Sequence, residues 1–246
     1  MTTPSRDIGD VNPSRNSVWE MFDRVAHRYD LLNHLLSFGQ DILWRSKLSN
    51  LAAAHSGSRV VDVATGTADQ LISMVRRSGP LPAAIGIDMS GKMLDVARHK
   101  LSRKRLTDCV TIIQANALNL PLRTDSTDTV TISFGIRNVV DISAALREMK
   151  RILRAGGKLL ILEFSTPRNP ILSRLYLLYL RYLLPQFGSW ISGDSYAYHY
   201  LNKTIESFPS GDAFSALLQQ AGFSAVSATR LTGGVVTIYQ GTKLPH

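Results

Sequence analysis

The stretch VVDVATGTAD, residues 60–69, runs from four strand-forming positions through small residues into the start of a helix. A β-strand that opens this way points backbone N–H groups and a helix N-terminus at a nucleotide-like ligand. Asp88 ends the next apolar run, IGID, twenty-two residues after Gly66. A carboxylate at the end of a second strand can accept both hydroxyls of a ribose. Either half alone also describes an ordinary strand, turn and helix with an exposed acid. Together, in this order, they favour a nucleoside cofactor. A dinucleotide site wants glycine at three fixed positions so that the backbone can approach a pyrophosphate. Here those positions hold Ala64, Gly66 and Asp69, and an acid at the third faces phosphates badly. S-adenosylmethionine has no phosphate and carries a cationic sulfonium, so Asp62 and Asp69 beside the loop are tolerable. It is the preferred cofactor over NAD.

Outward from this loop, short apolar runs alternate with helical periodicity. Strands are expected at 59–64, 83–88, 110–114, 129–134 and 158–163, with helices at 69–77, 90–104 and 142–154 between them. The pair Gly156-Gly157 is expected to end the last helix in a left-handed turn. Such alternation gives an α/β fold, a parallel sheet with helices on both faces and a ligand crevice at the carboxyl ends of its strands. A helix at 211–221 and two β-like runs, 224–231 and 235–241, close the chain, and the two runs suit a hairpin on the sheet edge. Five alternating strands and a terminal pair form the seven-stranded, Rossmann-like sheet of class I methyltransferases, an analogy of fold that leaves function to the site. Before the sheet, Val18, Met21, Phe22, Val25, Ala26 and Tyr29 share one helix face over 17–30, and a second helix is expected at 41–54.

Residues 1–16 are polar, rich in Pro, Gly, Asn and Ser, and lack the apolar run of a signal peptide, so they read as a loose arm. The remainder, 17–246, reads as a single domain with N-terminal helices over 17–54 and a cap insertion over 165–208. The one cysteine, Cys109, forms no intrachain disulfide or cysteine metal cluster and suits a reducing cytoplasm. The acids and histidines lack metal-ligand spacing. With 28 basic and 19 acidic residues the net charge is +9, which favours anionic partners, nucleic acid or an anionic membrane face. The basic group Arg98, Lys100, Arg103, Lys104 and Arg105 reads as a solvated helix end. Basic residues are not interleaved with aromatics as nucleic-acid stacking requires, which argues against that partner. Residues 171–184, ILSRLYLLYLRYLL, are apolar nearly all round but fall short of the ~20 residues that span a bilayer. They suit a buried helix, a homodimer interface, or a greasy wall that also touches a membrane with Arg174 and Arg181 at headgroup level.

At the level of whole motifs the chain resembles the ubiquinone/menaquinone biosynthesis C-methyltransferase family. The matching stretches, in family order, are RYDLLNHLLSFGQDILWR (28–45), VVDVATGTAD, IGIDMSGKML (85–94), QANALNLPL (114–122), ISFGIRNVVD (132–141), RILRAGGKLLILEFSTP (151–167) and YHYLNKTIESFP (198–209). The resemblance implies methylation of a ring carbon of a polyprenyl quinol, demethylmenaquinol first and 2-methoxy-6-polyprenyl-benzoquinol as the alternative. It implies a cytoplasmic enzyme, peripheral at the inner face of the membrane. It places Thr67 in the cofactor loop, Asp88 on the ribose, Asn116 with Ala117 near the adenine and Ser133 near the methionine end; Asp62 and Gly66 join them from the loop itself. Arg137 and Asn138 stand at the reacting end, Arg137 to stabilise a quinolate and Asn138 to orient it. By itself Arg137 equally suits a salt bridge to Asp141 or Glu163, and Asn116 a plain turn. Tyr198 and Tyr200 are expected in the substrate cap. Two departures stand out: Ala68 replaces a loop glycine, and Tyr196, Ala197 and Lys203 stand where the family tends to have an acid or serine. If position 68 needs a positive φ, alanine costs about 1 kcal/mol there. Thr65 and Ala68 also motivate a rival of another class, a non-catalytic scaffold that keeps the fold.

Overall fold

The computed structural model describes residues 18–52, 58–78, 83–184, 186 and 195–245, of which 195–199 by backbone alone. The N-terminal arm, and with it part of the expected cap, lies outside them. Seven strands form one sheet in the order β3-β2-β1-β4-β5-β7-β6. They span Arg59–Val63 (β1), Ala83–Asp88 (β2), Val110–Gln114 (β3), Thr127–Ser133 (β4), Leu153–Phe164 (β5), Ser224–Leu231 (β6) and Val236–Thr242 (β7). The first five pair in parallel, while β7 runs antiparallel between β5 and β6. The terminal pair is thus a hairpin whose second strand, not its first, docks on the sheet.

Helices α3 (Gln40–Ala52), α4 (Asp69–Ser78) and α5 (Gly91–Arg103) cover one face, joining Leu48, Leu71, Met74 and Ala97 to Val60 and Leu160. On the other face α6 (Ile142–Ile152) sets Leu146 and Met149 against Val61, Val130 and Ile161. Adjacent residues of one strand, such as Val60 and Val61, therefore serve opposite cores, and a central strand buried on both faces reads as a continuous apolar run. All seven residues of β4 are buried.

Two expectations are corrected. The stripe over 17–30 is not one helix: α1 (Val18–Val25) and α2 (Tyr29–Leu36) are joined by a 3₁₀ turn, Ala26–Arg28. Val25 and Arg28 sit at ψ −3°, at the edge of the helical region, and the tightened turn between them redirects the chain. Gly156-Gly157 does not end α6, which stops at Ile152 as Leu153 becomes extended (ψ 136°). The glycines lie within β5, where Gly156 takes φ +77° and its N–H bonds the Lys243 carbonyl. Tertiary pairing with β7 overrides the local turn signal there.

The insertion after β5 is helical. It contains α7 (Pro170–Leu178), capped by Asn169 and continuing through a π-helical turn at Tyr179–Leu183, then α8 (Ser195–Ser207), before α9 (Asp212–Gln220) returns to the sheet. Tyr176, Leu180 and Leu184, four residues apart, turn inward and pack with Leu32 and Ile205. Ile171, Leu175, Leu178 and Tyr182 form a second stripe that faces outward and is exposed. Among the described residues no helix is long and apolar enough to cross a membrane.

Candidate active site

Two cavities meet at the carboxyl end of the sheet. The first, about 270 Å³, is lined by Gly66, Asp88, Asn116, Ala117, Ser133 and Asn138, and roofed by Val18, Trp19, Phe22 and Tyr29. The second, about 280 Å³, lies under α7 and α8 and is walled by Trp44, Phe134, Phe164, Tyr176, Leu180 and Ile205. Phe22, Tyr29 and Phe134 border both. The apolar stripe of α1 and α2 is therefore the lid over a pair of connected sites.

The loop after β1 makes the first cavity. Ala64, Gly66 and Ala68 all take positive φ, +51°, +55° and +67°. Ala68 does occupy the conformation that favours glycine, and its methyl is fully buried in the core. The Gly66 N–H donates to Asp88 Oδ2 at 2.8 Å and the Ser90 N–H to Oδ1 at 2.9 Å, so the two strand ends are tied by one carboxylate. Burial pushes the Asp88 carboxyl up, against these backbone donors. Gly135 closes the opposite wall: a Cβ there would stand 2.6 Å from that of Ala64. Side chains are excluded where the ends of β1 and β4 approach.

Of the residues expected at the cofactor, Gly66, Asp88, Asn116, Ala117 and Ser133 are brought together around this cavity. Asn116 also makes the plain turn weighed against it, accepting the Leu118 N–H at 3.0 Å. Asp62 and Thr67 stand behind the loop instead. Asp62 is fully buried and accepts from Thr65 (2.7 Å) and Thr131 (2.6 Å). Burial nevertheless raises its pKa to about 6, the two hydroxyls and Arg45 opposing. Thr67 donates to Asp30 of α2 at 2.6 Å. Lys100 of α5 bridges Asp30 and Asp69, so this lysine is no solvated helix end but a clamp fastening the lid to the core. Burial works against the ionised Asp69, yet Lys100 prevails and holds its pKa below the usual carboxylate range.

Arg137 and Asn138 form the 3₁₀ turn after β4, Ile136–Asn138, and face different cavities. Arg137 lines the apolar one. Its Nη1 donates to Glu163 Oε1 at 2.8 Å and to the Phe134 carbonyl at 2.5 Å, while its Nε is buried without a partner among the described residues. The salt bridge to Glu163 weighed from sequence is thus present, and Glu163 is fully buried. Asn138 lines the loop-side cavity, and its Oδ1 is likewise buried without a partner among the described residues. Tyr200 is buried in the wall of the apolar cavity; the Tyr198 side chain lies outside those described.

Sequence reading missed the α3 contribution. Asp41, Trp44 and Arg45 line the apolar cavity, the acid and the arginine one helical turn apart. That spacing was the available signal, but without the lid's position nothing shows which side of α3 faces a cavity.

The loop-side cavity suits a ligand without phosphates. Asp88 is the one charged side chain among the described residues that line it, and the buried Asn138 Oδ1, unpartnered among those residues, fits a donor or cationic ligand. Fold and cavity together define a class I S-adenosylmethionine-dependent methyltransferase. The fold is shared with a possible histamine N-methyltransferase of Thermotoga maritima (TM-score 0.62, 23% identity, covering 92% of this chain and 99% of that one). It is shared also with a putative S-adenosylmethionine-dependent methyltransferase of Methanococcus maripaludis (TM-score 0.63, 17% identity, covering 100% and 98%). Residues 10–243 match the ubiE/COQ5 methyltransferase family, and the chain belongs to it. Proteins named ubiquinone/menaquinone biosynthesis C-methyltransferase UbiE are similar throughout. That of Syntrophotalea carbinolica is 45% identical over 224 residues, 91% of this chain and 92% of that protein. That of Hahella chejuensis is 40% identical over 233 residues, 95% and 94% of the two.

Proposed function

We propose that this enzyme methylates a ring carbon of a polyprenyl quinol, with demethylmenaquinol as its substrate. The observation that carries the reading is the second cavity: apolar, walled by Trp44, Phe134, Phe164 and Tyr176, and touching the loop-side cavity across Phe134. An aromatic head group fits such a wall, and the inward face of α7 suits the start of an isoprenoid tail. The UbiE proteins' names supply the substrate class, and four aromatic side chains around the head group favour the two-ring naphthoquinol.

When bound, S-adenosylmethionine supplies an electrophilic methyl group. Around it, Asp88 accepts the ribose hydroxyls, Asn116 and the Ala117 backbone N–H meet the adenine edge, and Ser133 stands near the methionine end. Asp62 and Thr67 act from behind, keeping Gly66 and the lid in place. Asn138 offers its free oxygen to the cofactor side of the junction, and Arg137 offers its Nε–H to a ring oxygen. Both cavities have largely apolar walls, which suits an in-line transfer that depends on positioning. Tyr200 belongs to the wall that closes over the ring, and Tyr198, two residues earlier in the chain, is assigned to the substrate on the family resemblance alone.

A quinol tail is insoluble, so the enzyme must meet a bilayer. Leu31, Leu35, Phe38 and Ile42 on one side, and Ile171, Leu175, Leu178 and Tyr182 on the other, are exposed. Phe38 and Tyr179 join the two sides, with ring centroids 6.2 Å apart, and both line the acceptor cavity. We infer that this face rests on the cytoplasmic surface of the membrane, where the net positive charge favours anionic lipid; a homodimer through the same stripes is the competing use. The deciding experiment incubates purified enzyme with S-adenosylmethionine and each reduced quinol and follows the product by mass spectrometry. Methylation of demethylmenaquinol ahead of the benzoquinol is expected. Methylation of neither, with cofactor bound, removes the proposal; failure to bind the cofactor as well favours a scaffold.

A further inference from the structure

A ring carbon attacks only once a ring hydroxyl has lost its proton, so the acceptor cavity needs positive charge that is not already neutralised. Among the described residues two guanidinium groups reach the cavity, from Arg137 and Arg45. That of Arg137 is closed by the fully buried Glu163 carboxylate at 2.8 Å, which leaves it a hydrogen-bond donor with little net field. Arg45 differs. Its guanidinium carbon stands 5.2 Å from the centroid of Phe134, the ring that separates the two cavities. Its Nε is buried without a hydrogen-bond partner, and no carboxylate makes an ion pair with it among the described residues.

The acids around Arg45 are satisfied elsewhere. Asp41, one turn earlier on α3, takes His34 Nδ1 at 2.8 Å and the Ser37 hydroxyl at 2.7 Å. Asp62 and Asp69 feel the charge of Arg45, yet their oxygens are held by Thr65 and Thr131 and by Lys100. A half-buried cation with no contacting anion among the described residues keeps its field for a ligand in the cavity. Arg45 borders the acceptor cavity and not the loop-side one. We propose that Arg45 is a catalytic residue that stabilises the quinolate oxygen during methyl transfer, a role that rests on the quinol reading given above.

The step balances without a further reactant. The hydroxyl proton leaves and its electron pair stays on the ring oxygen, beside Arg45. The ring carbon forms the new C–C bond as the S–C bond breaks, the latter pair remaining on sulfur. The ring C–H proton then departs and aromaticity returns; one of the two protons is restored to the ring oxygen and one passes to solvent. Arg45 moves no proton. It is a fixed charge placed where negative charge develops, which is where such charge accelerates most.

The test compares wild type with Arg45→Gln and Arg45→Lys at saturating cofactor and quinol. Arg45→Gln is expected to lose on the order of 10²–10³ in kcat at neutral pH. Its pH–rate profile moves toward higher pH, because the bound quinol ionises later, and a ring-fluorinated quinol with a more acidic hydroxyl recovers more of the lost rate than it adds to wild type. Arg45→Lys keeps the charge and most of the profile, which a merely structural role would not arrange. Cofactor affinity by calorimetry stays within a few-fold in both. An unchanged rate and pH profile in Arg45→Gln overturns the proposal. So does a loss of cofactor affinity with kcat retained, which would assign Arg45 to the methionine carboxylate. If wild type methylates neither quinol, the substrate reading itself has failed, an outcome distinct from an active wild type with an equally active variant.

Discussion

Truncating Arg137 to alanine is the substitution whose consequence the structure most changes. The guanidinium supplies two short hydrogen bonds, to Glu163 Oε1 and to the Phe134 carbonyl. Without it, Glu163 retains only backbone donors, Phe164 N–H at 2.9 Å and Arg137 N–H at 3.4 Å, in a site with no exposure to water. Leaving one partner of a buried pair unmatched costs about 3–5 kcal/mol, a large part of the 5–15 kcal/mol typical of a folded domain. Arg137→Ala is therefore expected to lower stability by about that amount in urea denaturation at neutral pH, with the slope of the transition unchanged. Adding Glu163→Gln removes the stranded charge, so the double variant should recover at least about 2 kcal/mol of the loss. Turnover should remain low in both, with cofactor affinity retained, because the Nε–H offered to the ring is gone. A single variant within about 1 kcal/mol of wild type, or a double variant no more stable than the single, would refute the account of Arg137 as half of a buried pair.

Asp62→Asn tests the buried acid behind the loop. Its pKa rises from the ordinary 3.8 to about 6 on folding, so between those values the native state holds more protons and wild-type stability falls as pH rises. Two units correspond to about 3 kcal/mol; the variant lacks this loss, and its stability relative to wild type should climb by roughly that amount from about pH 4 to 7, whereas a flat difference across the window would be inconsistent with the burial argument. Ala68→Gly relieves a left-handed alanine, worth about 1 kcal/mol or more, against about 0.8 kcal/mol for the buried methyl and a freer unfolded chain. Calorimetric unfolding should show a variant within about 1 kcal/mol of wild type, and a loss beyond about 1 kcal/mol would mean that the methyl packing dominates. Leu31→Asp with Leu175→Asp, both exposed and outside the cavity walls, should abolish co-sedimentation with anionic vesicles while sparing turnover of a short-tailed quinol. Retained vesicle binding would move the membrane contact to another face, and a dimer in wild type that dissociates in the variant would assign the stripes to self-association.

Most of the sheet was legible because parallel strands buried on both faces read as apolar runs bounded by turn residues. The runs at 83–88 and 110–114 fall on β2 and β3. What failed did so where a neighbour outweighed local preference. Gly156-Gly157 carried a helix-stop signal, but Lys243, the residue after β7, supplies backbone partners there and draws the segment into β5. The stripe over 17–30 gave the right apolar face and the wrong continuity, because it covers two cavities at once and the turn at 26–28 lets it do so. Several of the expected site residues sit together, yet Thr67 and Asp62 stand behind the loop, which no spacing reveals.

By itself the sequence determined the cofactor class and the sheet, since a strand, a small-residue loop and a carboxylate at a fixed distance leave few geometries for a nucleoside. It also placed alanine where the loop requires a positive φ. Only the tertiary structure decided how charge is distributed over the acceptor cavity. Arg137 is neutralised by Glu163, a residue of β5, and Arg45 reaches the same cavity from a helix far earlier in the chain without a contacting carboxylate among the described residues. The reason is that neutralisation falls off over a few ångströms in space, a distance that separation along a chain does not encode.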